Sequence, residues 1–347
     1  MRRGWRIGLP LLALTIAASA AAAEPVVRPV GSKWRGATRD SSRRNRILRR
    51  PRQVAIRQPK GMRPLHPEET AAALRPIRAL RPDVPAATIE AGFAHYRAIT
   101  GRVRGASREN PGALRVSRAG SAEGLSILRV DLVARNPAPG RRPRVLVVGG
   151  MHAGNETVGA EAATRFVEAA AGDDALRDAF DITVVPLANP TALVLGIREN
   201  AAGDDVNRSF ADGKWTAESR AIRAIAEEGD FDLVIDLHGA GDRGRNGFFL
   251  IRGDGDRAMS SRILSPMESG ALMDPKAGAT SVGPYQFDHL GGARSTNHGT
   301  LTSYFAARGT QHSYTLEAPL RLEPERQVRG MMKLLRSALF NVRRHGG

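Results

Sequence analysis

Two segments far apart in the sequence each place a metal-ligating histidine just beyond an apolar, β-prone run. Gly149-Gly150-Met151-His152-Ala153-Gly154-Asn155-Glu156 follows Val145-Leu146-Val147-Val148, and Asp236-Leu237-His238-Gly239 follows Leu233-Val234-Ile235. Between them lies a carboxylate-reading stretch, Arg198-Glu199-Asn200-Ala201-Ala202-Gly203-Asp204-Asp205-Val206-Asn207-Arg208. A His and a Glu within one turn, plus a distant His, make a two-imidazole, one-carboxylate set. Such a set holds a catalytic zinc and leaves a fourth position open for water. Open α/β sheets build their sites past the carboxyl ends of their strands, which is where both histidines fall. The chain has no cysteine, so a metal site must come from imidazoles and carboxylates and no disulfide supports the fold.

The elements that must position these residues follow from hydrophobic periodicity. Strands near 144–148, 182–186, 232–237 and 312–316 alternate with helical stretches over 157–171, 216–227 and 298–308. That alternation predicts an α/β fold with a mostly parallel central sheet and helices on both faces. Upstream, Ile89, Phe93 and Tyr96 at helical spacing predict a helix over 85–99. Segments 113–117 and 125–133, joined by Gly120-Ser121-Ala122-Glu123-Gly124, predict a β-hairpin. A closing helix over 323–343 puts Val328, Met331, Met332, Leu335 and Leu339 on one face for core packing. The stretch 241–297 is loop-rich, and no periodicity fixes its pairings. His289, His298 and His312 read as packing or surface histidines.

The motifs run in the order strand–His…Glu, Arg…Asn-Arg, strand–Asp-Leu-His, and Tyr314-Thr315-Leu316-Glu317. From about residue 85 to the C-terminus this order resembles the M14 family of zinc metallocarboxypeptidases and its relatives, the succinylglutamate desuccinylases and aspartoacylases. The resemblance implies a three-layer zinc carboxypeptidase-like fold with one Zn2+ per chain on His152, Glu156 and His238. It implies Glu317 as general base and Arg198 beside the developing oxyanion. It implies Asn207 and Arg208 on the substrate's terminal carboxylate, a task that suits arginine's planar fork. Asp236 shares His238's side of the strand and reads either as a carboxylate orienting that ligand or as part of the sheet.

Two departures stand out. Three residues separate His152 from Glu156 where the family has two, a difference that a helical or glycine-containing turn accommodates. The family's Asn-Pro-Asp-Gly reads Asn189-Pro190-Thr191-Ala192, which leans toward the desuccinylases, whereas the Arg198–Arg208 spacing leans toward carboxypeptidases. For the family's substrate-facing tyrosine, a gapless count back from Glu317 lands on Ser295, with Tyr285 and Tyr304 nearby. Three functions are thus carried forward. The leading one is an exported zinc metallocarboxypeptidase acting on a C-terminal peptide bond, murein stem peptides included. The second is an N-acyl amino acid amidohydrolase of the desuccinylase/aspartoacylase type. The third is a non-catalytic binding protein on the same fold, favoured by the longer His152–Glu156 spacing.

The first residues have the pattern of a cleaved export signal. Arg2, Arg3 and Arg6 precede a short apolar segment and an alanine run ending near Ala23, which predicts a signal peptide over 1–23. The apolar segment is shorter than the ~20 residues of a spanning helix, so no membrane span is expected after cleavage and the protein is expected in the periplasm or outside the cell. The formal charge is +17, and residues 24–63 alone carry thirteen Lys and Arg against Glu24 and Asp40. With few apolar residues, 24–84 reads as a disordered basic tail or linker before a catalytic domain over 85–347. Anionic envelope polymers are the tail's expected partners, by charge attraction. No nucleic acid is expected, because no nucleic-acid-binding pattern accompanies the basic run.

Overall fold

The computed structural model describes residues 63–345 apart from 64, 212, 241–246, 254–256, 274–280, 283–284 and 296. The expected signal peptide and the tail over 24–62 lie outside the described residues. The fold begins earlier than charge and composition predict. Pro67–Leu80 forms a helix, α1, with Pro67 in its first turn and a capping box between His66 and Glu69. Leu74 and Ile77 of α1 are fully buried against Ile89 and Phe93. Residues 67–84 therefore belong to the folded domain and not to the tail. The reason is that two apolar residues one turn apart suffice to seat a helix whose other positions are charged.

The second helix, α2 (Ala86–Glu109), runs well past the expected residue 99. It buries Val103 and Ala106 as well as Ile89 and Phe93, and stops at Asn110 before Pro111. The hairpin follows, β1 (Leu114–Ala122) paired antiparallel with β2 (Leu125–Leu132). Its turn is only Glu123-Gly124, both at positive φ, the two-residue geometry that matches strand twist. The glycine at 120 sits beside a bulge within β1 and does not open the turn.

Next come β3 (Arg144–Gly149), α3 (Thr157–Ala171), α4 (Asp174–Ala179), β4 (Asp181–Val185), α5 (Pro190–Leu195), α6 (Ala217–Glu227) and β5 (Leu233–Ala240). The segment without legible pairings contains β6 (Phe249–Arg252), α7 (Arg257–Leu264), β7 (Ser281–Val282), β8 (Tyr285–His289) and β9 (Gly292–Ser295). The chain closes with α8 (Leu301–Ala307), β10 (His312–Pro319) and α9 (Pro324–His345). One ten-stranded sheet has the order β1-β2-β4-β3-β5-β10-β6-β9-β8-β7. Its four central strands, β4, β3, β5 and β10, run parallel as predicted. Antiparallel pairs extend it at both margins.

Alternation along the central strands divides two cores. Val145 and Val147 face one side, with Phe166 of α3 and Met331 and Leu335 of α9. Leu146 and Val148 face the other, with Ile222 of α6 and Phe305 of α8. Every residue of β5 is buried, as a strand covered on both faces must be. Among the described residues, no helix is long and apolar enough to cross a membrane.

Candidate metal centre and its cavity

The strand order brings the separated motifs together. His238 lies near the carboxyl end of β5, and Glu317 of β10 is its direct partner in the parallel register. His152 leaves the end of β3, the neighbour of β5 on the other side. The three-residue spacing is absorbed by a single turn, in which the His152 carbonyl accepts from the backbone N–H of both Asn155 and Glu156. That turn and the start of the following helix each require a glycine. A Cβ on Gly154 would fall 2.2 Å from backbone atoms of Ile197, and one on Gly159 would fall 2.0 Å from the Leu237 carbonyl oxygen. The start of α3 is thus seated directly on β5, which carries Glu156 to His238.

Ligand atoms of His152, Glu156 and His238 lie within 4.8 Å of one another, and all three residues are buried. The converging atoms are both Nδ1 nitrogens, 3.1 Å apart, and the Glu156 carboxylate, 2.9 Å from His238 Nδ1 and 3.3 Å from His152 Nδ1. Each imidazole turns its other nitrogen to a carboxylate. His152 Nε2 is 2.9 Å from Asp205 Oδ1, and His238 Nε2 is 2.8 Å from Asp236 Oδ2. Carboxylates behind ligand histidines fix ring orientation and raise ligand basicity. Two imidazoles and a carboxylate, each imidazole so oriented, are the donor set of a zinc site with an open position. The residues present fit a divalent cation. Among the described residues they form the one such group of His and acidic side chains.

Electrostatics follow from this packing. Burial would raise the Glu156 carboxyl, but the imidazoles of His152 and His238 outweigh it and hold it well below the usual carboxylate range. Burial would lower His238, but Asp236 and Glu156 outweigh that and hold it well above the usual imidazole range. Asp205 is also lowered, since its bond to His152 and the nearby Arg198 overcome its desolvation. Arg198 donates to Glu156 Oε1 and Asp205 Oδ2, each at 3.1 Å. Those two carboxylates overcome the effect of burial and raise its pKa.

A cavity of about 290 Å3 opens over this cluster, and His152, Glu156, Arg198, Asn207, Arg208, His238 and Glu317 all line it. Every predicted site residue is therefore brought to one cavity, though not every one is disposed as the resemblance implies. Asn207 is buried, with its side-chain Oδ1 accepting from Leu301 N–H at 2.9 Å and its side-chain Nδ2 donating to Asp236 Oδ2 at 3.3 Å. Its amide is thus engaged by the protein at both ends. Arg208 donates a hydrogen bond, at 2.7 Å, to the backbone carbonyl of Asn207. Tyr285 lines the cavity and interacts electrostatically with Arg198. Tyr304 instead packs among Phe210, Trp215 and Phe305. Ser295, where the gapless count lands, is the β-partner of Tyr285.

Asp205 and Asn155 were not singled out by residue type. Asp205 Oδ1 also accepts from Asn207 N–H at 3.0 Å, capping the short turn Val206–Arg208. An acid two residues before Asn-Arg is the sequence signal that marks it. His289 contacts Ser260 and His312 stacks on Tyr314, both away from the cavity, while His298 is exposed.

A family model for the succinylglutamate desuccinylase/aspartoacylase catalytic domain matches residues 141–324, more than half of the chain. No curated protein is similar enough to match. Solved structures share the fold. A Shewanella denitrificans protein assigned provisionally to the metallopeptidases is 17% identical, with a TM-score of 0.56 over 70% of this chain and 88% of that one. A metallo-carboxypeptidase of Burkholderia cenocepacia is 21% identical, with a TM-score of 0.54 over 71% and 68%. A metallo-carboxypeptidase of Pseudomonas aeruginosa, solved with (2-guanidinoethylmercapto)succinic acid, is 19% identical, with a TM-score of 0.54 over 70% and 68%. At these identities the likeness is one of fold.

Proposed function

Because the chain belongs to the succinylglutamate desuccinylase/aspartoacylase catalytic-domain family, within the M14-like superfamily, we propose that it is an exported, zinc-dependent carboxypeptidase that hydrolyses the amide bond before a free C-terminal residue. One observation carries the reading. His152, Glu156 and His238 converge on one cation-sized point, with Glu317 and the two arginines Arg198 and Arg208 on the wall of the same cavity. His152, Glu156 and His238 would hold a divalent cation, which when bound would supply a Lewis acid to polarise the scissile carbonyl and lower the pKa of a water toward neutrality.

The remaining chemistry belongs to the chain. Glu317, held by the β10–β5 register beside His238, takes a proton from the attacking water and delivers it to the departing amine nitrogen. Arg198 keeps its charge next to Glu156 and faces the oxygen on which negative charge grows. Arg208 holds the free carboxylate through charge-assisted hydrogen bonds. Asn207 acts on Asp236 and α8, keeping the carboxylate behind His238 in place. Asp205 does the same for His152.

The family match itself favours a second reading, an N-acyl amino acid amidohydrolase, for which the same residues keep the same tasks. The convergence of Glu156 on both imidazoles removes the feature that favoured a non-catalytic binding protein. The basic tail acting on anionic envelope polymers remains a proposal of its own, separate from catalysis.

The test compares a free-acid peptide with its C-terminal amide. Loss of the Arg208 contact should lower kcat/KM by roughly 30- to 1,000-fold, equivalent to ~2–4 kcal/mol. Arg208→Ala should cost the free acid as much and the amide little. Equal cleavage of the two peptides by the unmodified enzyme overturns the carboxypeptidase reading.

A further inference from the structure

The last helix, α9, carries a surface that the metal cavity does not use. Its buried side, with Val328, Met331, Leu335 and Leu339, seats it on the core. Its exposed side after Glu325 consists of Arg326, Arg329, Lys333, Arg336, Arg343 and Arg344, broken only by Phe340. Steps of three and four residues put these side chains on one stripe, about 27 Å long at the helical rise. No acidic residue follows Glu325 in the sequence.

The charge of the stripe is left uncompensated. Arg329 reaches Glu325 at 3.5 Å, but both Glu325 oxygens are already held by Arg165. The other cations of the stripe have no acidic partner among the described residues. Helix α7 widens the patch on one flank with the exposed Arg262, whose carbonyl accepts from Ser337 Oγ at 3.3 Å and Asn341 Nδ2 at 3.5 Å. Phe340 is 56% exposed, more than any other large apolar side chain among the described residues. The Arg344 guanidinium lies 5.2 Å from its ring centre. A lone exposed apolar residue is ordinary on a protein surface, but this one stands inside a stripe of cations, with Arg336 one turn before it and Arg343 and Arg344 one turn after.

Unpaired cations along a straight helix complement a flat anionic surface. One aromatic among them suits the acyl boundary beneath the headgroups, where the apolar side chains of interfacial helices lie. A single-stranded nucleic acid calls instead for several aromatics on which successive bases stack, and the stripe has one.

We propose that the exposed face of α9 docks the protein on a membrane surface rich in acidic phospholipids. The cations meet the headgroup phosphates and Phe340 enters between them. The attachment is peripheral, because the apolar side of α9 stays in the core. It is independent of how the metal centre is read, since no residue of the stripe lines that cavity.

The test uses the full chain and sedimentation with vesicles of phosphatidylcholine, alone or with about 30% phosphatidylglycerol. The parent should sediment with the acidic vesicles only. Each Lys or Arg near such a surface tightens binding about fivefold, so Arg336→Gln combined with Arg343→Gln should weaken partitioning at least ~10-fold. Phe340→Ala should weaken it about fivefold while leaving the binding of soluble polyphosphate unchanged, since that polymer offers charge without an acyl boundary. All three positions are exposed, so thermal melting of the variants should match the parent. A parent that ignores acidic vesicles overturns the proposal. An arginine variant that partitions like the parent does so too, and assigns the binding to the basic tail. A Phe340→Ala protein that keeps full vesicle binding, or loses polyphosphate binding, makes a soluble polyanion the occupant and overturns lipid docking.

Discussion

Glu161 of α3 reaches back to α2, where its two oxygens meet His95 Nε2 at 2.8 Å and the Arg102 guanidinium at 2.6 Å. Burial alone would raise its carboxyl, but the bond to His95 and the charge of Arg102 overcome it and bring the pKa from the ordinary 4.5 down to about 2. A shift of that size corresponds to about 3 kcal/mol of stability at neutral pH. The folded-state pKa lies below the unfolded one. The contribution is therefore whole above about pH 4.5 and is lost as pH falls through about 2. Glu161→Gln is nearly isosteric and cannot ionise. It should destabilise the protein by about 3 kcal/mol at pH 7, with the deficit shrinking as the parent loses its own charge. Urea unfolding of parent and variant at several values between pH 7 and 2 gives the difference directly, and acid effects common to both cancel. A gap that stays constant across this range, or one below ~0.5 kcal/mol at pH 7, would refute the reasoning. The helix at stake is the one that starts immediately after Glu156, so metal affinity should fall with it.

Further outcomes follow from the metal cluster. Glu317→Gln should keep the fold and the zinc yet lower hydrolysis at least ~100-fold, and near-parental activity in a peptide-release assay removes Glu317 from the mechanism. His152→Ala and His238→Ala should each abolish stoichiometric zinc in elemental analysis, and retention in both would show that other residues hold it. Asp205→Asn should weaken zinc ~10–100-fold in a chelator competition, because His152 Nε2 loses its carboxylate and Arg198 loses one of its two partners. An unchanged affinity assigns Asp205 to capping the Val206–Arg208 turn alone.

The central strands and most of the helices next to them were legible, because β3 and β5 carry apolar runs bounded by chemistry-bearing residues and β10 carries the β-prone Tyr314-Thr315-Leu316 just before Glu317. Helix α3 was legible to the residue at both ends. The candidate metal ligands were legible as types in order, but not the reason they meet. That reason lies in two backbone approaches, at Gly154 and Gly159, that no one-dimensional pattern encodes. Asn207 shows the opposite failure. Its place in the motif predicts a substrate contact, while the fold turns its amide to Leu301 and Asp236. The strands β6, β8 and β9 were illegible because they are short and at the sheet margin, where register depends on partners distant in sequence. Residues 67–84 were assigned to the tail because composition averages over charged positions and hides Leu74 and Ile77, which seat α1.

The pairing of β10 has a consequence for how such a chain can diversify. Glu317 is opposite His238 on one side and Phe249 on the other, so main-chain hydrogen bonds of three adjacent strands fix where Glu317 stands relative to His238. Tyr285, by contrast, comes from a marginal strand reached through β9, and Leu320 and Leu322 lie in the short link between β10 and α9. Insertions and replacements in the strand that carries Tyr285 can reshape the cavity it lines without moving Glu317 and His238. Under the proposed function, reaction type and substrate choice therefore sit on separable parts of the backbone, and a library that varies only the outer parts should change selectivity while leaving the Glu317–His238 register intact.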